Sequence, residues 1–195
     1  MTIEKINDKY NVILGSQSSR RKELLEKMNL KFKIKICKQK EIFPKEINQN
    51  LIPEFLAKQK ASQIALQLKD NFLLITADTI VIQNNNILHK PKNSIEVVKH
   101  LKQLSNKQHQ VITGVCIKSK EKEISFSCST KVYFSKLEKN EIYSYIKKDF
   151  PYDKAGAYGI QDWIGYIGVK KIDGSFNNVV GLPTHLLYQN LKLFI

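Results

Sequence analysis

Arginine is almost missing from this 195-residue chain: 30 of its 32 cationic residues are lysine, and the two exceptions, Arg20 and Arg21, are adjacent. Cysteine is scarce as well. Cys37, Cys116 and Cys128 are odd in number, far apart and without a Cys-x-x-Cys pair, which argues against a disulfide framework and a thiolate zinc site and points to a reducing cytoplasm. The four histidines, His89, His100, His109 and His185, are equally scattered and suggest no histidine metal centre. Long hydrophobic runs are lacking too: the longest, 72–82, is interrupted by Asp78 and is of strand length, so no membrane span is expected. Residues 1–10 carry Glu4, Lys5, Asp8 and Lys9 without an apolar stretch, so no secretory signal is expected either. No Walker loop, Gly-x-Gly-x-x-Gly or Gly-x-Ser-x-Gly occurs, which disfavours P-loop kinases, Rossmann dehydrogenases and serine hydrolases.

What is present is a hydrophobic fraction of 42%, enough for a full core, and a net charge of +14. The length fits one domain over 1–195, or two small lobes, better than two independent domains. Such a charge raises nucleic-acid binding as a function, but the lysines are spread along the whole chain with no block of like sign. They read as a solvated surface that also attracts small polyanions, with no dedicated nucleic-acid role.

Periodicity predicts an α/β protein with a mixed sheet. The run 11–15 ends in glycine and leads through serines into a helix over 20–29, giving strand, loop, helix. Alternation predicts a half-buried strand over 32–36, and Pro53 opens a helix reaching about 69. A buried central strand over 72–82, an Asn84-Asn85-Asn86 hairpin turn and a helix over 94–104 follow. Strands over 109–118 and 123–134, a helix over 138–147, a loop over 149–159, a strand over 165–172, a turn at Asp173-Gly174 and a helix over 182–193 complete the expected order. A cleft between lobes is the expected site.

Three places carry chemistry. A serine-lined turn at a helix start offers unsatisfied N–H groups to an anion, and Arg20 and Arg21 add charge there; a guanidinium is a planar fork that grips phosphate through two donors, as lysine cannot. The bland alternative is an ordinary N-cap with two exposed arginines. Asp78 breaks an apolar strand, and a carboxylate there is costly to bury unless paired, metal-bound or facing a cleft, which makes it the candidate base; the alternative is an Asp satisfied by nearby backbone. In 153–161 small residues let a backbone approach a ligand, while Lys154 and Gln161 supply polar groups for phosphate or a base edge. Lys60, on a helix, and Lys90, before Pro91, are weak signals alone. Metal-assisted hydrolysis is the simplest use of an anion loop plus a buried carboxylate.

The stretch Ser16-Gln17-Ser18-Ser19-Arg20-Arg21-Lys22-Glu23-Leu24-Leu25 resembles the Maf family signature Ser-x-Ser-Pro-Arg-Arg-x-Glu-Leu-Leu. Further matches follow in order: Leu56-Ala57-x-x-Lys60-Ala61, Ala77-Asp78-Thr79-Ile80-Val81, Lys90-Pro91, Thr113-Gly114-Val115, Asp153-Lys154-Ala155-Gly156-Ala157-Tyr158-Gly159-Ile160-Gln161 and Asn178-Val179-Val180-Gly181-Leu182-Pro183. The resemblance implies an elongated, mixed-sheet fold like that of inosine triphosphate pyrophosphatases, with a cleft between two lobes and a homodimer. It implies hydrolysis of a nucleoside triphosphate to monophosphate and pyrophosphate with a divalent metal, Mg²⁺ or Mn²⁺. The 153–161 segment resembles the dTTP/UTP branch.

Carried over by motif, Asp78 would accept the proton and join the metal with Glu41. Arg20, Thr79 and Gln161 would set substrate choice, and Ser16, Ser18, Arg21, Lys60, Lys90 and Lys154 would hold phosphates. The chain departs from the family at Ser19, where a proline is usual, and at Lys40, where an acid precedes Glu41. A preference for a modified purine nucleotide is an alternative. The family's association with septum formation offers another, a regulator acting through protein contacts or DNA; the intact Asp78 and arginine pair favour catalysis.

Overall fold

In the computed structural model, which describes residues 1–36, 42–44, 46–69 and 71–195, the chain forms an α/β fold. The helices are α1 (Thr2–Lys9), α2 (Ser19–Lys27), α3 (Ile52–Ala65), α4 (Ser94–Leu104), α5 (Lys139–Asp149), α6 (Trp163–Gly168), α7 (Phe176–Val180) and α8 (Thr184–Leu191). The strands are β1 (Asn11–Leu14), β2 (Phe32–Ile34), β3 (Phe72–Gln83), β4 (Asn86–Leu88), β5 (Gln108–Lys118), β6 (Glu123–Phe134) and β7 (Val169–Asp173). They form a seven-stranded sheet in the order β2-β1-β3-β5-β6-β7, with β4 on β3. The sheet is mixed: β1 runs parallel to β2 and β3, whereas β3 with β4 and β6 with β7 are antiparallel.

Contacts divide the chain into two compact units, one of 1–78, 113–128 and 181–195, the other of 79–112 and 129–180. The first unit is built around α3. Leu56, Ala57, Ala61 and Ile64 form its buried face, and Ala57, Ala61 and Ile64 meet Ile13, Phe72, Leu74 and Cys116 in one cluster. Each large aliphatic side chain buried this way contributes about 1.5–3 kcal/mol. Burial pushes the Cys116 thiol up to about 12, so it behaves as a small apolar residue; Cys37 lies outside the described residues. The carboxylate of Glu54, near the start of α3, accepts from the hydroxyls of Ser125 at 2.6 Å and Ser127 at 2.9 Å on β6.

Helix α2 is shorter than the expected 20–29 because its caps cut it sharply. Ser18 caps the start, and Asn29, in the left-handed region at φ 60°, ends it. The Asn29 N–H then donates to Glu26 O and the Leu30 N–H to Leu25 O, the paired reverse bonds of a Schellman motif.

In the second unit the hairpin expected at the asparagines is present. Asn84 and Asn85 both have positive φ, 49° and 59°, as a two-residue turn matching strand twist requires, and Gln83 pairs with Asn86 across it. The strand expected over 165–172 is half wrong: 163–168 is helical, and β7 starts at Val169. A Cβ on Gly165 would lie 2.2 Å from the Ile160 carbonyl oxygen, so the chain here doubles back onto itself, a contact that alternation cannot reveal. The closing helix begins at Thr184, after Pro183, and ends in a tight turn over Lys192–Phe194. Helices α1 and α7 were not expected from periodicity.

Candidate active site

In the first unit the loop after β1 is organised by its own hydroxyls. The Ser18 hydroxyl accepts from the Arg21 N–H at 3.4 Å, filling the N-cap role, and the Ser18 N–H donates to Ser16 Oγ at 3.2 Å. Ser19, in the place of a proline, is simply the first helical residue, so the departure leaves the helix start intact.

Arg21 turns back across this loop. Its Nε donates to Gly181 O at 2.8 Å, and its Nη1 donates to Ala77 O at 2.9 Å and Ser16 Oγ at 3.1 Å. One planar cation thus ties the loop, β3 and the residue before Leu182 together, a set of bonds a lysine ammonium could not span with the same geometry. Arg20 lies one residue earlier on the same helical turn and is half-buried.

Asp78, next to the clasped Ala77, meets Lys60 of α3: Lys60 Nζ is 2.6 Å from Asp78 Oδ1, and their side chains are 14% and 15% exposed. The pair is largely withdrawn from water yet reachable, the condition under which a carboxylate keeps a fixed direction. The Thr76 hydroxyl, fully buried, donates to Ala57 O at 2.7 Å and so holds α3 against β3 beside the pair. Lys60, Asp78, Arg21, Ser16 and Ser18 are therefore brought together by one unit. Glu41 and Lys40 lie outside the described residues.

In the second unit, Thr79 is half-buried on β3, Lys90 is exposed after β4, and Gln161 is half-buried before α6. Lys154 is held more firmly: its Nζ is 3.0 Å from Asp153 Oδ1 and 3.4 Å from Asp162 Oδ2, with 12% of the side chain exposed. The segment between is compact rather than loose, with single turns at Pro151–Asp153 and Ala155–Ala157 and with Gly156 and Ala157 both in the left-handed region. Tyr158 is buried beneath it. Its hydroxyl is 2.7 Å from His109 Nε2, and the rings of His109, Phe134 and Tyr158 pack together with centroids 5.0–5.5 Å apart. Burial lowers the His109 pKa to about 3 and raises that of the Tyr158 phenol, so both stay neutral.

Sequence reasoning missed Thr76, the Gly181 carbonyl, Tyr145 and Asp162. Thr76 alone left a signal, a hydroxyl in an apolar run. Gly181 acts through its backbone, and the other two act through partners 14 to 17 residues away.

Residues 11–194 match the family model described as Maf-like protein. A dTTP/UTP pyrophosphatase of Porphyromonas gingivalis is 47% identical over 189 residues, 95% of either chain. One of Parabacteroides distasonis is 47% identical over 187 residues, 95% of this chain and 97% of that one. Among solved structures, the Ham1 protein of Staphylococcus aureus aligns over 95% of this chain and 100% of its own with a TM-score of 0.56 at 14% identity, a likeness of fold. With the family model spanning nearly all of it and relatives this similar over nearly their whole length, the chain belongs to the Maf family.

Proposed function

We propose that this chain hydrolyses the α–β phosphoanhydride of dTTP and UTP, giving the nucleoside monophosphate and pyrophosphate. The observation that carries the reading is the Lys60–Asp78 pair at 2.6 Å, on a strand whose preceding carbonyl is clasped by Arg21. The names of the relatives at 47% identity support the substrates.

In this reading the Asp78 carboxylate accepts a proton from the attacking water as its oxygen bonds to the α-phosphorus. The bond from that phosphorus to the bridging oxygen breaks, and pyrophosphate leaves. The Lys60 ammonium directs the carboxylate, while the α2 N-terminus and Arg20 offer donors to phosphate oxygens. Arg21 holds this loop in shape and, with Ser16, Ser18, Lys60, Lys90 and Lys154, is assigned to phosphate by the family resemblance; Arg20, Thr79 and Gln161 are assigned to substrate choice in the same way.

On the family resemblance, a divalent cation of the Mg²⁺ or Mn²⁺ kind would assist this hydrolysis. Among the described residues no group of three or more His, Cys, Asp or Glu could hold a metal, and such hard cations are commonly held by one or two carboxylates plus substrate phosphates. Asp78, together with Glu41 on the resemblance, would supply those carboxylates, and the bound ion would neutralise charge on the phosphates.

Product analysis tests the proposal. Monophosphate and pyrophosphate from dTTP and UTP, with slower turnover of purine triphosphates, is the expected result; orthophosphate and a diphosphate, or equal rates on every triphosphate, would sink it. A homodimer in the cytoplasm is the accompanying expectation, for sedimentation and fractionation to check. Among the described residues no helix is long and apolar enough to cross a membrane.

A further inference from the structure

Tyr145 of α5 is fully buried, yet its hydroxyl is spent on the neighbouring segment rather than on its own helix. It donates to Asp162 Oδ2 at 2.9 Å and accepts the Gly159 N–H at 3.1 Å. The same Asp162 oxygen lies 3.4 Å from Lys154 Nζ. The turn between is tight: Asp162 N–H donates to Gly159 O at 3.1 Å, and a Cβ on Gly159 would sit 2.3 Å from Asp162 Oδ2, so no other residue fits there without displacing the carboxylate. Gln161 rides on this turn.

We infer that Tyr145 and Asp162 form a positioning device for the substrate-binding segment, the phenol fixing the carboxylate and the carboxylate aiming the Lys154 ammonium at a polyphosphate. The inference rests on the proposed triphosphate reaction for its biological meaning, but its geometry does not. Burial, reinforced by the Asp162 charge, raises the Tyr145 pKa, so the hydroxyl keeps its proton and remains a donor. A phenol fixed by the α5 backbone is a stiffer anchor for Asp162 than water would be, and a carboxylate fixed in turn restricts a lysine that otherwise samples many rotamers. Neither residue touches substrate in this role.

The test uses Tyr145→Phe, Asp162→Asn, Lys154→Ala and the Tyr145→Phe/Lys154→Ala double variant. Each is measured for melting temperature, for kcat and KM on dTTP, and for binding of inorganic pyrophosphate by calorimetry. Tyr145→Phe and Asp162→Asn are expected to weaken pyrophosphate binding and raise KM by about 3- to 10-fold, with kcat within about 2-fold. In the Lys154→Ala background the Tyr145→Phe change is expected to have little further effect on either quantity, because the lysine it acts through is gone.

A Tyr145→Phe protein that melts lower but binds pyrophosphate and dTTP as the parent does would reduce Tyr145 to a packing residue and overturn the inference. Equal losses with and without Lys154 would overturn it as well. A parent that fails to hydrolyse dTTP would defeat the proposed reaction instead, while the pyrophosphate binding series would still decide the positioning role. Should Tyr145→Phe unfold, Asp162→Asn, which keeps an acceptor for the phenol, carries the same decision.

Discussion

The hydroxyl of Thr76 donates to the carbonyl of Ala57 at 2.7 Å, one rung behind the ion pair of Lys60 with Asp78. Thr76 and Asp78 are two apart on a strand, hence on the same face, and Ala57 and Lys60 are three apart on a helix, hence on the same side. The first contact sets the spacing at which the second is made.

Thr76→Val should therefore cost both stability and turnover. The shape is kept but a buried hydrogen bond is lost, about 1–2 kcal/mol, and α3 is free to shift Lys60 away from Asp78. Denaturant melts and kinetics on the same preparation should show a loss in each, and Thr76→Ser should recover most of both. A stable, fully active valine variant would mean that the ion pair sets its own geometry.

Asp78→Asn keeps the size of the side chain and removes the proton acceptor. Turnover should fall about 10²- to 10⁴-fold; the melting temperature should fall as well, because the Lys60 ammonium loses its charged partner, but the variant should stay folded at the assay temperature. Near-normal turnover would leave Asp78 a structural partner of Lys60.

The two adjacent arginines should separate by phenotype. Arg21→Lys loses the fork that holds Gly181, Ala77 and Ser16, so its main effect should be on stability, roughly 1–3 kcal/mol or a melting point lower by about 3–10 °C. Arg20→Lys should show its main effect in kinetics, losing about 10- to 150-fold in kcat/KM, the equivalent of one charge-assisted hydrogen bond of about 1.5–3 kcal/mol to phosphate. Melting curves beside kinetics for both variants, with Lys33→Arg as a control that should change nothing, decide the assignment.

His109 predicts an acid-sensitive core. Its pKa falls from an ordinary 6.5 to about 3 on folding because burial penalises the imidazolium. The unfolded chain therefore binds the extra proton between those values. The stabilisation is full above about pH 6.5 and is lost as pH drops toward 3, at up to about 1.4 kcal/mol per pH unit. Urea unfolding should show about 1–2 kcal/mol less stability at pH 5.0 than at pH 6.5 from this group, and His109→Gln should flatten that slope. A parent with no slope there would mean the imidazole finds a partner when protonated.

Much of the fold was legible because burial follows period. The run 72–82 read as a buried strand and is β3, 123–134 read as a strand and is β6, and the asparagine hairpin followed from the φ those residues tolerate. What was not legible depends on distant partners. Residues 165–168 belong to the strand expected over 165–172, yet Gly165 packs on the Ile160 backbone and the segment coils. The partner of Lys60 lies 18 residues away, and Arg21 donates to two backbone carbonyls, which any residue could supply, and to the Ser16 hydroxyl, so neither set of bonds can be read from residue types. The site's residue types were readable; the bonds that orient them were not.

The first unit draws on 1–78, 113–128 and 181–195, so no contiguous fragment contains it. Lys9 and Tyr10 both donate to the carbonyl of Phe194, and the Arg21 clasp ends on Gly181. Until residues near 194 have been made these bonds cannot form, so the first unit closes only after 79–112 and 129–180, the whole of the second, have been synthesised. A premature stop anywhere before 181 would remove the clasp along with the tail, leaving the serine loop without the strut that shapes it.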